Sequence, residues 1–480
     1  MSDTLKIATI QAGNAAGAWG VTMAPGKKGP STFGGYHDRD LDEDLDAVAA
    51  WGAVAVLTLM EGPELRRYRI AEIGEGVRAR FMEWHHLPIQ DVNVPGPAFE
   101  AAWPDLSRKL RALVARGGKV LVHCRGGLGR AGMIVSRLLV EDGVAPAAAI
   151  RQVRAVRGPG AVETGAQEGW VAAGKPVKAR RPAKVPQARR ERALGALLGL
   201  AVGDAVGTTL EFTDKPDRAV LDDMVGGGPF KLQPGQWTDD TAMALALADS
   251  LVACSPLDPE DLMNRFVNWQ AYGIYSCTGT CFDIGNATAA ALGRYRRSGD
   301  PVAGSTHPQT AGNGSIMRLA PVAIRYWHDR LALARMADLQ GRTTHGAEEA
   351  RQGTLLLAEI LADAIEGRPM NDILAGTAAR AAGYRAGQTR QEARGSGYVV
   401  ASLQAALWAV AATTDFRAAV LAAANLGEDA DTTAAVAGQI AGAIYGREGI
   451  PSEWLAKLAW RDRLKGVAAE LFQAGMTERG

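Results

Sequence analysis

The chain has 480 residues, 47% hydrophobic and 22% charged, which allows two or three compact domains and gives no lean toward disorder or a fibre. Its 53 cationic and 52 acidic side chains leave a net charge of +1, so a generally basic nucleic-acid binder is not expected. Four cysteines without CxxC spacing exclude a disulfide scaffold or a cysteine-ligated zinc site.

The N-terminus, MSDTLKIATI, lacks the charged-then-apolar layout of a leader, and no uninterrupted apolar run approaches the roughly 18 residues that span a bilayer. A cytoplasmic protein with no membrane partner is the expectation. Along residues 1–171, short β-type runs alternate with amphipathic ones. The segments 54–59 (VAVLTL) and 119–123 (KVLVH) read as buried strands, and 41–51, 99–116 and 131–140 read as helices. This half is therefore expected to be α/β.

Between the second strand and the last of these helices lies His123-Cys124-Arg125-Gly126-Gly127-Leu128-Gly129-Arg130. A Gly-rich loop between strand and helix turns backbone N–H groups and a helix N-terminus onto a phosphate, from Arg125 through Gly129, and the same positive field favours Cys124 as a nucleophilic thiolate. Arg130 can fork onto two phosphate oxygens. These residues resemble the signature of the dual-specificity branch of the protein tyrosine phosphatases. The resemblance implies a phosphocysteine intermediate on Cys124, a phosphorylated substrate, and a general acid on an upstream loop. Asp91, in HLPIQDVNVP, matches that acid. The string Trp103-Pro104-Asp105 imitates the acid loop of tyrosine-specific relatives but falls inside a predicted helix. Glu163 and Gln167 match a late loop that orders the hydrolytic water. Where most members carry Ser or Thr after the arginine, this chain has Ala131, which leaves open a domain that binds phosphate without efficient turnover.

Residues 172–190 (AAGKPVKARRPAKVPQARR) lose large apolar side chains and gain three prolines and many cations, so they read as a linker. From 191 to 480 the strand signal disappears, and Ala/Leu-rich segments at 193–202, 241–253, 399–411 and 432–445 predict an all-α half. Gly195, Gly199, Gly203 and Gly207 fall four apart on one helix face, which admits close approach of a neighbouring backbone.

Acidic clusters then recur at predicted helix ends. Asp204 and Glu211 close the glycine-faced helix, Thr238-Asp239-Asp240 opens a second, and Asp429-Ala430-Asp431-Thr432 opens a third. Either helix start alone reads equally well as an N-cap. Together, Asp carboxylates beside Thr hydroxyls form an oxygen donor set suited to hard cations such as Mg²⁺ or Mn²⁺. The turn Gly312-Asn313-Gly314-Ser315 has the composition of a backbone cradle for pyrophosphate or ribose. His345 reads equally as a packed or a participating histidine, and Cys277 and Cys281 as helix-face thiols.

The strings GALLGLAVGDAVG, QWTDDTAMALALA, FDIGNAT, GNGSIMRLAPVA and NLGEDADTTAAVAGQIAGAIYG resemble the ADP-ribosylglycohydrolase family. That resemblance, covering about 191–480, implies an orthogonal all-α helical bundle. It further implies two divalent cations held by Thr238, Asp239, Asp240, Asp429, Asp431 and Thr432, with Glu211 and Asp283 as catalytic carboxylates and Tyr398 stacked on adenine. The implied substrate is an ADP-ribosylated protein or an ADP-ribosyl small molecule. Two readings of the whole chain follow: a bifunctional glycohydrolase and phosphatase, or a glycohydrolase recruited or regulated through a phosphate-binding module.

Overall fold

A computed structural model describes residues 4–11, 17–30, 36–80, 82–115, 117–176, 186–254 and 256–477. The chain divides into two compact units that meet in sequence at Pro182 and Ala183. Residues 177–185 of the expected linker lie outside the described residues.

The first unit is built on a five-stranded sheet. Its strands are β1 (Ala8–Gln11), β2 (Ala18–Met23), β5 (Ala53–Thr58), β6 (Glu83–His86) and β7 (Lys119–Cys124), and a separate hairpin pairs β3 (Lys28–Pro30) with β4 (Tyr36–Asp38). The sheet order is β1-β2-β7-β5-β6, with only β1 and β2 antiparallel. The helices are α1 (Leu41–Ala50), α2 (Gly62–Arg67), α3 (Ile73–Arg78), α4 (Pro97–Ala115), α5 (Gly129–Glu141), α6 (Pro146–Arg157) and α7 (Gly165–Ala172). Two apolar clusters form the core, one around Trp19, Val122 and Ile134, the other around Leu45, Val56 and Ile73. β7 is paired on both sides, which explains why Val120, Leu121 and Val122 are all fully buried and why its sequence reads as a continuous apolar run. Cys124, its last residue, is thereby delivered to the carboxyl edge of the sheet, where ligand sites of α/β sheets form.

No named strand lies in the second unit among the described residues. Helix α8 runs from Pro186 to Gly207, so its first turn occupies residues expected to belong to the linker, and α9 spans Asp239–Ala253. The helix Ala430–Tyr445 packs antiparallel along α8. Four glycines set that contact. A Cβ placed on Gly195, Gly199, Gly203 or Gly207 would lie 2.1–2.3 Å from the carbonyl oxygens of Gly442, Gly438, Ala434 and Ala430, respectively. Ala188–Leu210 is long and apolar enough to cross a bilayer by length and composition, although Asp204 interrupts its apolar run. Its most apolar window is 89% buried within the unit.

Gly203→Ala tests this ladder. On an isolated helix the change would add about 1 kcal/mol of helix propensity. Here the methyl group meets backbone that cannot swing away, and overpacking costs typically about 1–3 kcal/mol. Calorimetry is expected to show the second unit melting at lower temperature; an unchanged or higher transition would mean that the two helices can part.

Candidate functional sites

In the first unit the loop after β7 surrounds a cavity of about 330 Å³ lined by Cys124, Arg125, Gly126, Leu128, Gly129, Arg130, Asp91 and Glu163. Arg157, at the end of α6, donates to the carbonyls of Gly127 (2.7 Å) and Gly126 (2.8 Å). In trans peptides this leaves the N–H groups of Leu128 and Gly127 directed to the opposite side. Gly127 needs its φ of +66°, and a side chain there would strike the backbone of Thr22 at 2.3 Å.

Arg130 is 2% exposed, and its guanidinium bonds both oxygens of Glu64 (2.7 and 2.9 Å), the carbonyl of Ile89 (2.9 Å) and Asp91 (2.9 Å). Asp91 also pairs with Arg125 at 2.8 Å. A phosphate and the Asp91 carboxylate therefore compete for the same two guanidinium groups. Glu64 holds Arg130 in place from behind, its own carboxyl kept below its usual range by that bond despite partial burial. Burial and the neighbouring Asp91 push the Glu163 carboxyl up, while the Gly129 N–H at the start of α5 bonds to it. Gln167 accepts from the Glu163 N–H (2.9 Å) and donates to the Asn93 carbonyl (3.3 Å), tying the late loop to the Asp91 loop. His123 is buried, shares a 2.8 Å hydrogen bond with Thr58 and is pushed down to about 3 by burial and Arg130, so it stays neutral. Asp105 lies on α4, paired with Arg108 at 3.0 Å, and does not line the cavity. Ala131 is buried and brings no hydroxyl.

The second unit holds a cleft of about 680 Å³ floored by acids from four segments. The antiparallel α8 and Ala430–Tyr445 helices bring the carboxyl end of one beside the amino end of the other, so Asp204 and Glu211 meet Asp429, Asp431 and Thr432. One ligand oxygen from each member lies within 4.8 Å of the others in three trios: Asp204, Asp240 and Asp431; Glu211, Asp429 and Asp431; Asp239, Asp283 and Asp431. Asp431 is common to all three. Asp204, absent from the predicted ligand set, is fully buried and accepts from the N–H and hydroxyl groups of both Thr238 (2.9 and 2.9 Å) and Thr241 (3.0 and 2.6 Å). It thus caps α9 from outside and aims Thr238.

The donors present do not satisfy this cluster. The single Thr238 hydroxyl proton faces Asp204, Asp431 (3.2 Å) and Asp240 (3.5 Å), and Thr432 donates to Asp240 at 3.3 Å. One oxygen each of Asp240 and Asp283 is buried with no partner. Burial and mutual repulsion push the carboxyls up: Asp204 to about 7, Asp429 to about 7, Asp431 to about 6, Asp283 to about 6 and Glu211 to about 12, with Asp239 and Asp240 also raised well above the usual range. Oxygen-only donors with orphaned, mutually repelling carboxylates fit hard divalent cations.

Other expected residues are placed differently from one another. Asn313 donates to Asp429 (2.9 Å) and lines the cleft with Gly312 and Gly314. The backbone cradle is not open there, because the Gly312 N–H bonds the Thr310 carbonyl (2.8 Å) and the Asn313 N–H bonds that of Gly397 (3.1 Å). Ser315 is fully buried below the cleft, accepting from Thr354 at 2.8 Å, since the turn dives toward the core before its helix starts at Ala320. Tyr398 is 42% exposed on an adjoining cavity. His345 lines the cleft, bonded to Thr344 (2.8 Å), which itself accepts from the buried Arg318 (2.7 Å); burial and Arg318 push the imidazole down to about 3. Cys277 lies in a turn and Cys281 in irregular chain rather than on a helix face, and burial pushes both thiols up to about 11.

Comparison with known proteins matches residues 185–480 to the ADP-ribosylglycohydrolase family and residues 29–171 to the Swiss Army Knife protein, DSP-PTPase phosphatase domain. The chain is 48% identical over 296 residues, 60% of its length and 79% of the relative's, to an ADP-ribosylarginine hydrolase Tri1 from Pseudomonas putida. It is 36% identical over 300 residues to an ADP-ribosyl-[dinitrogen reductase] glycohydrolase from Rhodospirillum rubrum, covering 60% of this chain and 97% of that one. A solved ADP-ribosylglycohydrolase-related protein complex superposes with a TM-score of 0.53 at 40% identity, covering 60% of this chain and all of that one. The chain belongs to the ADP-ribosylglycohydrolase family and carries a DSP-PTPase phosphatase domain ahead of the glycohydrolase unit.

Proposed function

We propose that the helical unit hydrolyses the N-glycosidic bond joining ADP-ribose to an arginine side chain, on two divalent cations of the Mg²⁺ or Mn²⁺ type. The orphaned carboxylate oxygens under the cleft carry this reading, and the relatives named as ADP-ribosylarginine hydrolases support the substrate class. Thr238, Asp239, Asp240, Asp429, Asp431 and Thr432 would hold the ions, Asp204 keeping Thr238 in register. Such ions, when bound, supply Lewis acidity and lower the pKa of water. Asp283 and Glu211 line the cleft and exchange protons with the attacking water and the departing nitrogen. Asn313 orients Asp429, and neutral His345 forms part of the wall.

In the α/β unit, Cys124 Sγ attacks phosphorus while Arg130 holds two phosphate oxygens. Asp91 then protonates the departing oxygen, and water ordered by Glu163 cleaves the phosphocysteine, while Gln167, buried outside the cavity and expected from the sequence to share that role, instead ties the Glu163 loop to the Asp91 loop. A second reading rests on Ala131: without a hydroxyl beside Cys124 to assist thiolate departure, the unit serves as a phosphate-binding module.

The test is release of free ADP-ribose from ADP-ribosyl-arginine and ADP-ribosyl-serine peptides, with Mg²⁺, with Mn²⁺ and after chelation. Release from the arginine peptide that chelation stops is expected. Release confined to the serine peptide, or unaffected by chelation, would overturn the proposal.

A further inference from the structure

Phe212 is 70% exposed at the mouth of the acidic cleft, next in sequence to Glu211. Its backbone has φ +60°, a region a phenylalanine rarely adopts, and Glu428 facing it has φ +59°. Two backbone hydrogen bonds clasp the pair: the Phe212 N–H donates to the Glu428 carbonyl (2.8 Å) and the Glu428 N–H to the Thr213 carbonyl (2.7 Å). Behind Phe212 stand Phe230, at 6.3 Å between ring centroids, and Phe282, 5.1 Å further on and adjacent in sequence to Asp283. An apolar ring is thus held out of the core, against conformational preference, on an aromatic backing beside the reacting carboxylates.

The cleft lining and the cavity beyond it differ in charge, with Arg394, outside that lining, paired to Glu428 at 3.0 Å. Six acids and no Lys or Arg line the cleft at Phe212. Past Gly312 and Gly397 the cleft continues into a second cavity of about 620 Å³ that has no acid among its lining residues. There Arg294 presents a buried Nη2 without a partner, beside Gln309 and Thr310. The divalent ions proposed above would offset most of that negative charge, whereas at the second end an anion meets a guanidinium with no acid in the lining. At the first end the exposed aromatic face offers a planar cation a cation–π contact.

We infer that Phe212 is the aglycone platform. The guanidinium of the ADP-ribosylated arginine lies on its ring, and the nucleotide end extends toward Arg294. This deepens the proposed arginine specificity and rests on it. The experiment compares wild type, Phe212→Ala and Phe212→Tyr on an ADP-ribosyl-arginine peptide, with calorimetric binding of free ADP-ribose, which lacks the aglycone, measured in parallel. Phe212→Ala is expected to raise KM for the peptide roughly 3- to 30-fold, the range of a partly desolvated cation–π contact. Phe212→Tyr should restore it, and affinity for free ADP-ribose should hold within about twofold of wild type, since the lost cation–π contact belongs to the aglycone alone. An unchanged KM overturns the inference. So does an equal loss of ADP-ribose affinity, which would put the adenine on the ring. If the wild type binds the peptide without cleaving it, the same comparison by calorimetry decides the platform. If it neither binds nor cleaves, the arginine reading falls and the platform with it.

Discussion

Asp431→Asn is expected to lower the rate of metal-dependent ADP-ribose release roughly a thousand-fold, because a lost metal ligand removes several kcal/mol of transition-state stabilisation at 1.4 kcal/mol per decade. Asp431 is the choice because it alone belongs to all three carboxylate trios. Asparagine keeps the shape and one oxygen but removes the charge. The metal-free protein should not be destabilised, since the Asp431 carboxyl is pushed up to about 6 by burial and by Asp283. A carboxylate whose folded pKa lies above its unfolded one contributes stability that is lost as pH rises through that interval, so removing its charge is favourable or neutral at pH 7. A melting temperature at or above that of the wild type, with activity gone, separates loss of the site from loss of the fold. Activity within tenfold of wild type would mean that this cluster is not the reacting centre.

Cys124→Ser is expected to cut turnover of a phosphate monoester roughly 10⁴-fold or more, the scale on which removal of a catalytic nucleophile is felt. Affinity for inorganic phosphate should survive, because Arg130 and the loop N–H groups do not depend on the thiol. The serine hydroxyl fits the buried position, which is 3% exposed at the end of β7. Equal rates for the two proteins would favour the binding-module reading that Ala131 motivates. Glycohydrolase rates measured on the same samples serve as an internal control for the amount of folded protein.

Much of this was legible along the chain because it is local. The run at 54–59 and the five residues before Cys124 became β5 and β7 within a residue or two, since strands buried on both faces need unbroken apolar sequence. Weakly patterned strands such as β1 and β6, with four residues each and exposed positions, carried no comparable signal. Glycines four apart announced a helix face that admits another backbone, and α8 meets the Ala430–Tyr445 helix along that face. The start of α8 at Pro186 was hidden because cations and prolines dominate the stretch, while proline suits a first helical turn.

The residues that escaped the sequence are those whose role is set by partners distant in the chain. Arg157 looks like any basic residue at a helix end until its guanidinium is seen on the carbonyls of Gly126 and Gly127. Glu64 gains meaning only from Arg130, and Asp204 only from Thr238 and Thr241. Ser315 shares a motif with Gly312, Asn313 and Gly314, yet the turn carries it below the cleft. The sequence by itself determined the two-part architecture, the phosphate loop, and which helix starts carry acids, because periodicity, glycine spacing and capping chemistry act over a few neighbouring residues. Tertiary structure alone decided that seven carboxylates from four segments converge, that one wall of the cleft is acidic and the other end holds Arg294, and that Phe212 is held outward. Those outcomes depend on how closely two helix backbones approach, and burial, repulsion and orphaned oxygens exist only once they have done so.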